Sequence, residues 1–534
     1  MRNNQFVINN NYDKRFVILF NIVFFALMAW LLPMRYEVND DVMMCMIANG
    51  HFTNNPDGHL VFINAIYGWV VALLYCWIPS VEWYTILLCV IQVVASSGII
   101  CLVLRNDRIA MVLKFLFLLF FYILWIRIII DFQFTTTAGL LCFSGCLALL
   151  QPHRKWKLYG AFAIFVSSLV RFHAAGLVGL ICAPLFILDF VKDKKQLIWV
   201  SCVLLVVLGG LWADSFFYSR KEWVDYNKYN AVRSSIVDAS DNSLDPLMMP
   251  DGVDYEDYKL FCSSFGDPNV MTMERLLNLK SRIQEKKTLG HSIEVLSQLK
   301  RYRIPVLLLC IGFLILFVVF ILERRSSLDR LVLFIPLSGF MILLLLLTYI
   351  QIKMSMKDRV FICMLFPLTY ELLMYGSLLV CERSRSICRW VIACVVIGIT
   401  MKYLVQDYKV NRSDRERYQM FLSCQKALVD KYNSIDEFSV VYPAKYYLDY
   451  ISPFEIKDVS FRMGLGWLTC IPFDHEKIIE NHLDFLDTGI LWFSSSEEPP
   501  MGVANSIERN YGIKVEIEKV DYNDQYALYR FVSK

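Results

Sequence analysis

Apolar residues run along this chain in blocks too long for a soluble domain and too regularly spaced to be chance. The runs cover 16–32, 83–104, 109–130, 135–150, 158–170, 176–191, 197–212, 305–322, 331–349, 360–380 and 390–404. A bilayer crossing takes about 20 apolar residues, so the pattern predicts about eleven transmembrane helices. A further run, 60–78, is interrupted by Asn64 and Gly68 and carries Trp and Tyr residues. Loop charges decide its fate. If 60–78 crossed, the basic loops at 105–108, 153–157 and 192–195 would all face outward. Laid along the outer interface as an amphipathic helix, it leaves all three inside, together with Arg324, Arg325 and 383–389, as the distribution of short basic loops requires. Arg2, Lys14 and Arg15 precede the first span, while Glu37, Asp40, Asp41 and Asp57 follow it against a lone Arg35. The N-terminus is therefore expected in the cytoplasm. No small-residue cleavage site ends the first run at Pro33, so it reads as a retained signal anchor. Two basic stretches still fall outside: Lys300, Arg301 and Arg303, and Lys353, Lys357 and Arg359.

Composition supports this reading. Apolar residues make up 57% of the 534 and charged residues only 19%, against about 45–50% and a quarter in soluble chains. A net charge of +3 with dispersed basic residues excludes a nucleic-acid binder. The 16 cysteines lie mostly within apolar runs and act there as small hydrophobes. The chain divides into a transmembrane domain, 1–405, with outer loops at 34–82 and 213–303, and a polar tail, 406–534. In the tail, 413–431 reads as an amphipathic helix opened by Ser413 and Glu416 at capping-box spacing. Strands are expected at 438–442 and 489–493, a helix at 503–510, and paired strands at 514–520 and 526–532 about the turn 521–524. That is a small α/β domain on the extracytoplasmic side.

Three places concentrate polar chemistry at the outer boundary. Asn39, Asp40 and Asp41 follow the first span; adjacent carboxylates there suit either a reactive site or a solvated helix start. Asp131 sits between two spans, four residues after Arg127, where a carboxylate needs water, a cation or a partner; a short solvated turn satisfies it as well. Arg171 and His173 end the fifth span, and an arginine there often snorkels to the interface. In the long outer loop Trp223, Tyr226, Asn227 and Arg233 interleave rings with amides, as carbohydrate sites do and as a helix packed on the membrane surface also does. His59 closes a turn cluster before the interfacial run.

These features together resemble the GT-C fold of membrane glycosyltransferases, which includes oligosaccharyltransferases, protein mannosyltransferases and aminoarabinose transferases. Asn39-Asp40-Asp41 resembles the acidic motif of the first outer loop, 60–78 the interfacial helix after it, and Asp131 the second outer acid opening a later span. Lys357-Asp358-Arg359 with Pro367 resembles the arginine that opens a late span, at the place where the loop-charge rule fails. Relatives often carry Glu where this chain has Asp41, which leaves the choice of base between Asp40 and Asp41.

The resemblance implies an all-α polytopic GT-C-like domain with a C-terminal α/β extracytoplasmic domain; the retained first span fits the plasma (inner) membrane, with an endoplasmic-reticulum home as the alternative. The implied activity is sugar transfer, with inversion, from a polyprenyl-phosphate-linked donor to an extracytoplasmic glycan, lipid or protein acceptor. A carboxylate takes the acceptor proton, and guanidinium groups hold the leaving lipid phosphate bidentately. Asp40 is the expected base with Asp41 its substitute, and Asp131 positions the acceptor. Arg359 leads the phosphate candidates, followed by Arg171, Lys357, Lys300, Arg301 and Arg303. Cofactor use stays unknown: an oxygen-rich pair such as Asp40 and Asp131 suits a hard divalent cation, but no third ligand is evident. A surface-polysaccharide polymerase or ligase, or a lipid-linked glycan flippase or transporter, is the alternative; nearly charge-free spans favour interfacial chemistry over alternating access.

Overall fold

The computed structural model describes residues 13–192, 194–239, 244–285, 298–322, 338, 341–351, 356–377, 382–420, 431–432, 439–441, 452–456, 465–473, 479–495, 499–524 and 526–534. The first half of the chain comprises α1 (Lys14–Leu31), β1 (Arg35–Tyr36), α2 (Asn39–Ala48), α3 (Ala65–Trp77), α4 (Trp83–Leu104), α5 (Met111–Ile130), β2 (Asp131–Phe132), α6 (Phe134–Leu149), α7 (Arg154–Lys192) and α8 (Lys195–Phe217). After α9 (Lys221–Val237), α10 (Tyr255–Cys262) and α11 (Met273–Glu285) come α12 (Arg303–Leu322), α13 (Met341–Gln351), α14 (Asp358–Ser377) and α15 (Glu382–Met420). Eight of the described helices are long and apolar enough to cross a membrane. The chain is a multi-pass membrane protein, and α1 shows why: it buries only Val17, Asn21 and Phe25 and leaves the rest of its apolar surface outward, which water would not tolerate.

Two expected spans, 158–170 and 176–191, lie within the single helix α7. Arg171 breaks it with φ −157° and ψ 97°, and the contacts on α6 show that the chain reverses there. Gly145 packs on Gly160 and Ile164, and Ser167 Oγ donates to Ala138 O at 2.7 Å, so the first half runs antiparallel to α6. Beyond the break, Cys142 Sγ donates to Ala175 O at 3.3 Å and Cys146 reaches Cys182, so the second half runs parallel to it. A Cβ on Gly160 would lie 2.7 Å from Gly145 O; glycines on both helices permit this approach.

The run 60–78 forms α3, which is 13 residues long and spans only about 20 Å, short of the roughly 30 Å hydrocarbon core. Both of its ends lie at the same end of the bundle. Ala65 N–H donates to Asp214 near the C-terminus of α8 at 2.7 Å, and Tyr75 hydroxyl donates to Glu82 just before α4 at 2.9 Å. An interfacial course fits this geometry. The run 331–349 is described only at 338 and from 341 onward.

The tail folds as a four-stranded sheet in the order β3-β4-β6-β5, with β3 (Ser439–Val441), β4 (Ile490–Ser495), β5 (Val515–Tyr522) and β6 (Tyr526–Ser533), and a helix, α16 (Met501–Tyr511), between β4 and β5. β3 is parallel to β4, and the other pairings are antiparallel. Each expected strand and the helix are found within a few residues of their places. The start expected at Ser413 is not: α15 runs unbroken from Glu382 to Met420, across the 405/406 boundary drawn from composition. Capping-box spacing had no consequence there because the preceding residues were already helical.

Candidate active site

The site begins with a pairing of two very short strands. β1 and β2 are parallel, with Arg35 opposite Asp131 and Tyr36 opposite Phe132; Glu37 N–H extends the ladder to Phe132 O at 3.0 Å. This brings the two acidic segments, 37–41 and 131, to one end of the bundle. α2 then starts at Asn39, with Val38 extended before it and Asp40 and Asp41 in its first turn, where carboxylates complement the helix dipole.

The two neighbouring aspartates have opposite surroundings. Asp41 is fully buried. Its Oδ1 accepts the Tyr84 hydroxyl at 2.9 Å and the Phe134 N–H at 3.2 Å, while its Oδ2 is buried without a hydrogen-bond partner. Burial pushes its pKa well above the ordinary carboxylate value, more than those two donors pull it down. Asp41 therefore helps cap the N-terminus of α6 from outside; Gln133 Oε1 takes the next two N–H groups there, of Thr135 at 2.6 Å and Thr136 at 3.2 Å. Asp40 is half-buried and faces cations instead. Burial raises its pKa, Arg359 and Arg171 oppose that rise, Asp238 adds to it and Arg233 opposes it. These arginines come from α14, the α7 break and α9, three elements remote in sequence.

Each arginine is held. Arg171 Nη1 donates to Phe62 O at 2.9 Å, and its guanidinium carbon lies 5.6 Å from the centre of the Phe62 ring and 5.3 Å from that of Phe134, a cation-π arrangement. Arg233 is 9% exposed and donates through Nε to Asn230 Oδ1 at 2.9 Å. Arg359 Nη1 lies 3.9 Å from Glu37 Oε1; burial lifts the Glu37 carboxyl to about 7 against the pull of Arg359.

Asp131 is braced on both oxygens, with Arg35 Nη2 3.2 Å from Oδ1 and Arg127 Nη2 3.1 Å from Oδ2. Arg127 also reaches Asp358 Oδ2 at 4.0 Å. Asp358 in turn pairs with Arg301 and accepts the Tyr302 hydroxyl at 2.6 Å. This alternating chain of charges ties β1, α5, β2, α14 and the start of α12 together. Among the described residues no group of three or more His, Cys, Asp and Glu side chains is placed to hold a metal ion.

The remaining expected residues divide. Trp223 and Tyr226 are buried: the Trp223 ring stacks on His59 at 4.7 Å and meets Tyr218, Tyr226 and Phe473 edge-on, and the Tyr226 hydroxyl donates to Trp467 O at 2.8 Å. As placed they are core residues rather than an open sugar-stacking face. His59 is anchored by Asp57 Oδ1 at 2.7 Å. Asn227, Lys357, Lys300 and Arg303 are exposed, as is Arg301, which pairs with Asp358. Four participants were not singled out from the sequence: Arg35, Glu37, Tyr84 and Arg127. Only Arg127 left a signal, its i,i+4 spacing to Asp131.

No protein-family model and no curated protein sequence matches this chain. Two solved structures are similar to it over almost their full length. One is ArnT from Cupriavidus metallidurans bound to undecaprenyl phosphate, at 12% identity and a TM-score of 0.48, covering 97% of this chain and 98% of that one. The other is the same protein in the apo state, at 10% identity and a TM-score of 0.39, covering 96% and 97%.

Proposed function

We propose that this protein is a membrane glycosyltransferase that moves a sugar from a polyprenyl-phosphate donor to an extracytoplasmic hydroxyl acceptor, with Asp40 as general base. The observation that carries this reading is the half-buried Asp40 carboxylate within electrostatic reach of Arg359, Arg171 and Arg233, with Asp238 as an opposing acid beside them. A base beside a cluster of guanidinium groups is what transfer from a lipid phosphate needs. The acceptor O–H gives its proton to Asp40 as its oxygen attacks the anomeric carbon. The carbon–oxygen bond to the phosphate breaks, and the electron pair leaves on the phosphate. The phosphate is a good leaving group without an acid, and its charge is met by Arg359 first, with Arg171 and Arg233 beside it. Attack opposite the leaving group inverts the anomeric centre. Asp131, Arg35 and Arg127 hold the two acidic segments in register. The donor class rests on the sequence resemblance.

The test is sugar transfer by the protein in nanodiscs across a panel of polyprenyl-phosphate sugars, comparing wild type with Asp40→Asn. Loss of about two to four orders of magnitude in the variant, with its fold intact, is the expected outcome. Wild-type transfer unaffected by the change removes Asp40 from the role of base.

A further inference from the structure

At the end of the bundle opposite Asp40, a groove of about 580 Å³ lies between α1, α4 and the start of α7. It begins at Lys14 and Trp156 and reaches Phe25 and Ala26. That stretch of α1 is about 18 Å long, a little over half of the roughly 30 Å hydrocarbon core, so the groove has the depth of one leaflet. Its walls are carbon, with Ile18 and Ile22 facing Val90 and Val94. The polar groups on its border are already partnered. Ser97 Oγ accepts from Asn21 Nδ2 at 3.0 Å, and the Tyr159 hydroxyl shares a hydrogen bond with Ser144 at 2.8 Å. Water would find no partner along such walls.

The mouth is cationic. The Lys14 ammonium lies 4.9 Å from the centre of the Trp156 ring. Lys14 and Arg105 both lie within electrostatic reach of Cys101, which lines the groove. Asp13, the carboxylate next to Lys14 in sequence, caps its own helix by accepting the Arg15 N–H at 2.9 Å. An indole beside cations at the end of an apolar slot is the arrangement of a membrane interface.

We propose that the groove seats one acyl chain of an anionic phospholipid from the leaflet at the Lys14 end, its headgroup phosphate held between Lys14 and Arg105. The lipid wedges α1 against α4 and α7, which matters for a helix that buries only three of its own residues. This site is independent of the transfer reaction and stands or falls without it.

Native mass spectrometry of the delipidated full chain, titrated with dioleoyl phosphatidylglycerol or dioleoyl phosphatidylcholine, tests the proposal. One phosphatidylglycerol is expected to survive activation that strips phosphatidylcholine. Lys14→Ala should reduce that preference about tenfold, and Ala26→Trp, which fills the deep end, should abolish retention of both lipids. Val94→Trp on the opposite wall serves the same purpose where Ala26→Trp fails to fold. Retention unchanged in the groove-filling variants overturns the proposal. So does displacement of phosphatidylglycerol by a polyprenyl phosphate, which would make the groove a donor-tail site.

Discussion

Replacing Asp41 with asparagine separates the roles of the adjacent carboxylates. Asp41 is fully buried, its Oδ1 takes two donors, and its Oδ2 has no hydrogen-bond partner. Burial raises its pKa and disfavours the charged form more than the two donors favour it. Asparagine keeps the carbonyl acceptor and the volume and adds no buried charge, and Asp41→Asn should therefore retain transfer within a few fold. Asp41→Ala instead strands the Tyr84 hydroxyl and the Phe134 N–H. At about 1–3 kcal/mol for each unsatisfied buried donor, the cost is on the order of 2–6 kcal/mol, enough to lower the melting midpoint visibly. The assay is transfer in nanodiscs alongside thermal unfolding for both variants and for Asp40→Asn. A folded Asp41→Asn that loses a hundredfold or more in rate, while Asp40→Asn keeps its activity, refutes the assignment and makes Asp41 the base.

Further outcomes follow from the same geometry. Glu37 carries a folded-state pKa of about 7 against an ordinary 4.5. The native state thus holds a proton that the unfolded chain has released, and stability falls as pH rises from about 4.5 through 7. Because one pKa unit is about 1.4 kcal/mol, urea unfolding at pH 5 and pH 8 should differ by about 1–3 kcal/mol more in wild type than in Glu37→Gln; equal slopes would contradict this. Arg127→Ala leaves Asp131 with Arg35 alone and should cost about 3 kcal/mol, the lower end for breaking a buried pair, as a lowered unfolding midpoint; an unchanged midpoint removes the brace. Between the outer loop and the tail, Asp257 accepts from Ser506 at 2.7 Å, Arg509 at 2.5 Å and Asn510 at 3.0 Å, joining α10 to α16. Asp257→Ala should make the 244–285 region cleavable under limited proteolysis; a protection pattern identical to wild type counts against that clamp. The depressed pKa of Asp257 places its contribution above the ordinary carboxylate range, to be lost only as pH falls below about 4.

The bundle was legible because membrane spans are a coarse signal: composition over about 20 residues decides them. The course of 60–78 was legible through loop charges, and the tail strands through alternation and turn residues. Candidate site residues stood out only where residue type alone is informative, at Asp40, Asp131, Arg171 and Arg359. What brings them together left little trace. β1 and β2 are two residues each, far below any periodicity window, and pair across almost a hundred residues of chain. The difference between Asp40 and Asp41 is one of surroundings, set by Tyr84 and by the start of α6. Trp223 and Tyr226 show the reverse case. Their interleaved pattern suits a sugar site and a packed helix equally, and burial alone distinguishes the two.

The scatter of the site along the chain has a consequence for biogenesis. Asp40 leaves the ribosome long before Arg171, Arg233 and, after about 320 residues, Arg359. At about 5–20 residues per second, the acid waits roughly 15–60 s for its last cation. At the start of that interval α2 is tethered to the first span, with neither the β2 partner for β1 nor the three guanidinium groups made; β2, Arg171 and Arg233 follow in turn, and Arg359 comes last. With the roles proposed above, a chain stopped before α14 would insert its early helices and still lack Arg359, the first of the cations that meet the leaving phosphate.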